Sequence, residues 1–239
     1  MAIKILTPIE ARVLGTLMEK ARTVPDSYPL SLNALVLGCN QKSSRDPLME
    51  VNDDEARQAI DSLKAQSLVF EGSSSRVPRF EHNFQRGAGV SEPQAVVMGL
   101  LMLRGPQTAA ELRTSGDRWY KFADSNAVEA VLQALQQRGD DGGQPMVQQL
   151  PRAPGAREQR WVHLLCGEPD LAAFAALAAS QPAPADAQGL LARVTALENA
   201  LARVKADNAQ LRAHITTISE QLGIELHDGP GLAGDLSPL

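Results

Sequence analysis

The chain has 239 residues, 44% of them hydrophobic and 4% aromatic, with 23 Lys and Arg against 28 Asp and Glu. That is room for two small domains with aliphatic cores plus an extension, and a net charge of −5 runs against the basicity that marks a tight nucleic-acid binder. No apolar run of membrane-spanning length occurs, and Cys39 and Cys166 are too few and too distant for a disulfide framework or a CxxC metal site.

The charge is uneven. Residues 1–86 hold 11 Lys and Arg against 11 acids, residues 87–169 hold 8 against 9, and residues 170–239 hold 4 against 8. Acidity therefore concentrates in the tail. Thr7, Pro8 and Glu10 stand where a secretory signal would need an apolar stretch, so a cytoplasmic location with reduced thiols is expected.

Thr7-Pro8-Ile9-Glu10 is a capping box with proline at the first helical position. Ile9, Val13, Leu14, Leu17, Met18 and Ala21 follow at helical spacing and predict one buried face. A second helix is expected from Ser31, burying Leu32, Leu35 and Val36, and a third from Asn52 and Glu55, burying Ala56, Ala59, Ile60 and Leu63. Leu68-Val69-Phe70 and Arg79-Phe80-Glu81 flank the turn Gly72-Ser73-Ser74-Ser75 and predict a hairpin.

The same order returns. Ser91-Glu92-Pro93-Gln94 is another capping box, and residues 94–102 match residues 10–18 at a constant offset of 84, Leu101 standing against Leu17. Thr108 and Glu111 open a second helix, and Ser125 is expected to cap a third. Its Val128, Val131, Leu132 and Leu135 lie 72 beyond Ala56, Ala59, Ile60 and Leu63. Met146–Leu150 and Trp161–Leu165 supply a second hairpin. Repeated caps, core spacing and hairpins point to one plan used twice. The predicted fold class is mainly α with small β-hairpins: two tandem winged-helix domains, 1–86 and 87–169, a short helix and linker at 170–186, a coiled-coil helix at 187–223, and a disordered tail at 224–239.

Cys39-Asn40-Gln41-Lys42-Ser43-Ser44-Arg45-Asp46-Pro47 resembles the hallmark loop of the uncharacterised bacterial YceH-like family. Leu103-Arg104-Gly105-Pro106-Gln107-Thr108, Glu111-Leu112-Arg113 and the run from Leu150 to Arg160 resemble its second-domain signatures. The resemblance covers roughly residues 5–225. It implies tandem winged helices and no assigned activity.

A winged helix on DNA places its third helix in the major groove and its hairpin along the backbone, where Lys and Arg meet phosphates. The candidate contacts in the first copy are Lys42, Ser43, Ser44 and Arg45 in the loop, Arg57 and Lys64 on the third helix, and Arg76 and Arg79 on the hairpin. In the second copy they are Arg118, Lys121, Arg152, Arg157 and Arg160, while the outer face of its third helix carries Gln133, Gln136, Gln137 and Arg138. Two facts weigh against them. Asp53-Asp54-Glu55 lead the first of these third helices, and each arginine taken alone also reads as an ordinary surface charge. The hallmark loop has a structural reading too: Asn40 capping the preceding helix, Asp46-Pro47 turning the chain, and Arg45 paired with a carboxylate. Two functions stay open, a regulator-like protein that binds duplex DNA and an adaptor that binds another protein.

In the tail, Leu190, Val194, Leu197, Leu201, Val204, Asn208, Leu211, Ile215, Ile218 and Leu222 alternate in steps of four and three, a heptad seam. Asn208 at an a position favours two parallel strands, and Arg193 with Glu198, and Asp207 with Arg212, would pair across them. A homodimer is expected; the alternative is a helix folded back on its own chain. Four histidines lack ligand spacing and no P-loop, GxGxxG or HExxH pattern occurs, so neither a cofactor, a metal nor an enzymatic reaction is expected.

Overall fold

Strong caps start the helices where the sequence places them. In α1 (Pro8–Thr23) the amide of Glu10 donates to Thr7 Oγ1 at 3.2 Å and the amide of Thr7 donates to Glu10 Oε2 at 2.7 Å. A 3-10 turn (Pro25–Ser27) and the two-residue strand β1 (Leu30–Ser31) lead to α2 (Leu32–Cys39), with Ser31 as its cap. Asn52 and Glu55 close a reciprocal cap on α3 (Asp53–Ala65). The hairpin of β2 (Val69–Gly72) and β3 (Arg79–His82) follows, and β1 adds to it beside β3, giving the order β1-β3-β2 with every pair antiparallel. The structure, a computed structural model, describes residues 3–72, 77–138, 144–152, 156–171, 198–199 and 201–211.

A five-residue helix, α4 (Phe84–Ala88), which the periodicity does not reveal, joins the halves. The second half then repeats the order: α5 (Glu92–Arg104), α6 (Ala109–Gly116), α7 (Ser125–Gln137) and the antiparallel pair β4 (Val147–Gln149) with β5 (Trp161–His163). One expectation shifts by a residue. Asp124, not Ser125, caps α7, its Oδ1 accepting from the Ala127 amide at 2.8 Å. The repeat also includes the edge strand. Leu30 of β1 pairs with Phe80 of β3, and Gln107, at the same position before its helix, bridges Trp161 of β5.

Where the sequence predicts one buried face on α1, the structure buries every residue from Glu10 to Glu19. The reason is α5, buried from Ala95 to Leu103, which covers the side that the first half leaves open. The two helices meet reciprocally. A Cβ on Gly15 would stand 3.3 Å from Met102 Cβ, and one on Gly99 would stand 3.3 Å from Met18 Cε. Gly15 and Gly99, like Met18 and Met102, are 84 apart, so each half presents the same pair to the other, as in a two-fold interface. Both repeats accordingly lie within one compact unit, Met1–Ala183, and share one core.

In the second unit, Pro184–Leu239, residues 201–211 are helical and exposed throughout. The short helix expected after Asp170, the linker and the tail at 224–239 lie almost wholly outside the described residues. Mainly helical structure with small antiparallel sheets is therefore what the chain adopts. Among the described residues, no helix is long and apolar enough to cross a membrane.

Candidate nucleic-acid interface

The α2–α3 connection is held from below. Asn40 ties its two ends: Nδ2 donates to Val51 O and the Val51 amide donates to Oδ1, both at 2.8 Å. Arg45 turns inward and is 6% exposed. Its guanidinium forks onto Glu19, with Nη2 2.6 Å from Oε2 and Nη1 3.2 Å from Oε1, and Nη2 and Nε also donate to Gly38 O at 2.8 and 3.1 Å. Arg12 on α1 is 1% exposed and donates to Cys39 O at 3.2 Å and Pro47 O at 2.6 Å. Arg12 thus grips the carbonyls at both ends of the hallmark motif, and Arg45 grips that of Gly38 just before it.

Charge follows from that burial. Burial pushes the Glu19 carboxyl upward, but the Arg45 fork outweighs it, helped by Lys20 at 3.1 Å, and holds Glu19 below the usual carboxylate range. Burial and the proximity of Arg45 lower Arg12. The Cys39 thiol, donating to Thr16 Oγ1 at 3.6 Å, is pushed up by burial, which makes it a poor nucleophile.

The same loop rests on the second half. The Asp46 amide donates to Leu103 O at 2.9 Å. Arg104 donates from Nη2 to Ser44 Oγ at 2.7 Å and from Nη1 to Ser115 Oγ at 3.1 Å. Gly105, with φ of +66°, lets the chain turn where a Cβ would stand 3.5 Å from Asp46 O. Further along, Arg160 forks onto Glu111 at 2.6 and 2.8 Å and donates to Pro106 O at 2.7 Å. The three sequence signatures, far apart in the chain, therefore meet as one polar ridge across the junction of the halves.

This sorts the candidate contacts. Arg45 is withdrawn from the surface set, because its guanidinium is buried and its donors are taken; the paired-carboxylate reading is the one the structure shows. Ser44 accepts from Arg104. Lys64 pairs with Glu71, and Arg79 donates to Pro29 O at 2.7 Å. Arg160 is paired with Glu111, and Arg138 is drawn off the outer face of α7 to donate to Ala88 O and Gly89 O at 3.0 and 3.2 Å. Lys42, Ser43, Arg57, Arg118, Lys121, Arg152 and Arg157 are exposed. Arg76 lies outside the described residues.

Of the seam, Leu201, Val204, Asn208 and Leu211 are exposed, and Asn208 Nδ2 donates to Val204 O at 3.2 Å. Leu190, Val194, Leu197, Ile215, Ile218 and Leu222 lie outside the described residues. Burial lowers His163 to about 4, and burial with Arg22 lowers His82 to about 4. Among the described residues, no cluster of His, Cys, Asp or Glu forms a metal site.

Arg12, Glu19 and Arg104 are the residues that periodicity misses. A signal was present for the first two. At the repeat offset of 84, Arg12 stands where the second half has Val96, and Glu19 where it has Leu103. Polar residues that replace core aliphatics in one copy of a repeat mark a place where that copy does something different.

A family model described as a protein of unknown function, DUF480, matches residues 6–156. The chain belongs to the DUF480 family. Relatives named UPF0502 protein include one from Polaromonas sp., 81% identical over 238 residues and all of both chains. Another, from Verminephrobacter eiseniae, is 55% identical over 98% of this chain and 95% of its own length, and one from Delftia acidovorans is 56% identical over 92% and 93%. The DUF480 match takes in the hallmark loop, Arg104 and Glu111, and ends before Arg160. The uncharacterised bacterial family anticipated from the motifs is this one.

Proposed function

We propose that this DUF480 protein is a non-enzymatic, regulator-like protein of two tandem winged helices that binds duplex DNA, dimerising through its C-terminal helix. The observation that carries this is the twice-used order of three helices and a hairpin, with a strand before the second helix pairing to the hairpin in one half and bridging it in the other. Exposed Lys42 and Arg57, Arg118 and Lys121, and Arg152 and Arg157 fall on the loops, third helix and hairpin that such a unit lays against a duplex. With a net charge of −5 and with Arg45, Lys64 and Arg160 already paired to carboxylates, binding is weak and sensitive to salt. Dimerisation rests on the exposed Leu201, Val204 and Leu211 (55, 55 and 59% exposed) flanking Asn208 within the heptad sequence.

Titration of a labelled duplex at low and moderate salt tests the reading. Binding at low salt that weakens when Lys42, Arg152 and Arg157 are changed together to alanine supports it; no binding at low salt overturns it. Sedimentation of the full chain carrying Leu201→Asp and Leu211→Asp tests the dimer, which is expected to become a monomer. The adaptor reading draws on a different observation: Leu37 and Leu48, 64 and 63% exposed, flank the hallmark loop, and exposed aliphatics suit a protein partner. Partners recovered from cytosol that survive nuclease treatment favour it.

A further inference from the structure

The paired cations among the described residues are satisfied in different ways. Arg22, Lys64 and Arg160 meet carboxylates, as does buried Arg45. Arg79 and Arg138 meet backbone carbonyls. Arg104 differs. It is half-buried at the end of α5, and its two terminal nitrogens are each taken by a neutral hydroxyl, Ser44 from the first half and Ser115 from the second.

Hydroxyls orient a guanidinium without cancelling its charge. Each hydroxyl that accepts from Arg104 has its own proton left to donate, and no described hydrogen bond uses the proton of Ser44 Oγ or Ser115 Oγ. Arg104 itself has further N–H groups beyond the two in use. The result is a set of donors, cationic and neutral, without a matching acceptor among the described residues. Asp46 is the neighbouring acid. Its Oδ2 lies 3.9 Å from where a Cβ on Gly105 would stand, and it forms no ion pair with Arg104 among the described residues. Exposed Lys42 and Ser43 belong to the same loop as Ser44.

The site is also rigidly built. Ser44 sits at φ +61°, between a loop tied at its ends by Asn40 and an Arg45 driven into the core. Ser115 lies one helical turn from Glu111 on α6, and residues so spaced share a face, so the ridge continues to Arg160 on the second hairpin.

We infer that Arg104, with the hydroxyls of Ser44 and Ser115, is a clamp for a phosphodiester group of the duplex backbone, placed at the seam between the two halves. This rests on the DNA-binding reading above. A guanidinium flanked by hydroxyl donors suits a tetrahedral oxyanion, and a backbone contact of this kind sets position without reading sequence.

The test is full-length protein titrated with a labelled duplex, and with a second duplex of unrelated sequence, across a salt series. Arg104→Gln is expected to weaken both duplexes equally and to reduce the magnitude of the log–log salt slope by about 0.9, the loss of one phosphate contact. Arg104→Lys is expected to restore the slope, and Ser115→Ala to weaken binding with the slope unchanged, because it removes a neutral donor. Melting temperature of each variant separates these effects from misfolding, and the lysine variant carries the decision if glutamine unfolds the protein. Wild-type binding with an unchanged slope in Arg104→Gln overturns the clamp and leaves the DNA reading standing. No wild-type binding overturns both. Binding of polyglutamate by the wild type in place of duplex assigns the donors to an acidic partner and also overturns the clamp.

Discussion

In the first half the connection after the second helix is tied by Arg45 and Glu19, with Arg12 beside them, all beneath the surface. In the second half the tie between hairpin and helix is Arg160 with Glu111, both side chains about half exposed at 49 and 44%. The chemistry is the same, a guanidinium fork on a carboxylate, but the surroundings differ. A buried ion pair is costly to form and worse to break, since the surviving charge is stranded. An exposed pair is screened and contributes little. The first half therefore uses its ion pair as a structural member that fixes a loop against α1 and the end of α2, and the second half uses its pair to trim a surface.

Substitutions can break this comparison. The largest effect is expected from Arg45→Ala or Glu19→Gln, a loss of about 3–5 kcal/mol, read as a lower urea midpoint. Near-wild-type stability would show that the loop is held without the pair. Next is Gly99→Ala. Its Cβ would stand 2.7 Å from the Trp119 ring, and overpacking of this kind costs about 1–3 kcal/mol. Gly15→Ala, 3.0 Å from the Leu103 side chain, is expected to cost less because a leucine yields more readily than an indole. Equal losses would mean that the helix crossing, not the ring, sets the limit.

Acid sharpens the picture. His82 and His163 are held neutral to about 4, below their ordinary value of 6.5. The unfolded chain binds their protons first, so stability is full above about 6.5 and falls as pH drops toward 4. Thermal melts over that window should show the fall, and His163→Phe should flatten it; an unaltered profile would exclude His163 as a contributor. The smallest effect is expected from Arg160→Ala, at about 0.2–1 kcal/mol. A loss as large as that of Arg45→Ala would erase the distinction between the halves.

Much of the fold is legible in the chain because the signals are local. The capping residues Thr7, Asn52, Ser91 and Thr108 carry their partner three residues on, and aliphatic spacing marks each buried face. What spacing does not show is what covers the far side of a helix. The outer face of α1 reads as polar because of Arg12 and Glu19, and those residues are buried only because α5 and the loop close over them. The site divides the same way. Lys42, Arg57, Arg118, Lys121, Arg152 and Arg157 are exposed as expected, whereas Arg45, Arg138 and Arg160 find partners that depend on long-range folding. A residue type announces that it can meet phosphate; only its neighbours decide whether its donors are already spent.

The halves share one core through α1, α5 and the loop and are expected to unfold as one cooperative body. Both tryptophans of the chain, Trp119 and Trp161, lie in the second half and are buried, so their fluorescence reports on that half and on its junction with the first, where the Trp119 carbonyl accepts from Arg22 at 3.3 Å. Urea unfolding followed by tryptophan fluorescence in Arg45→Met, a change confined to the first half, tests the claim directly. The fluorescence midpoint is predicted to move to lower urea; a midpoint identical to that of the wild-type chain would contradict it.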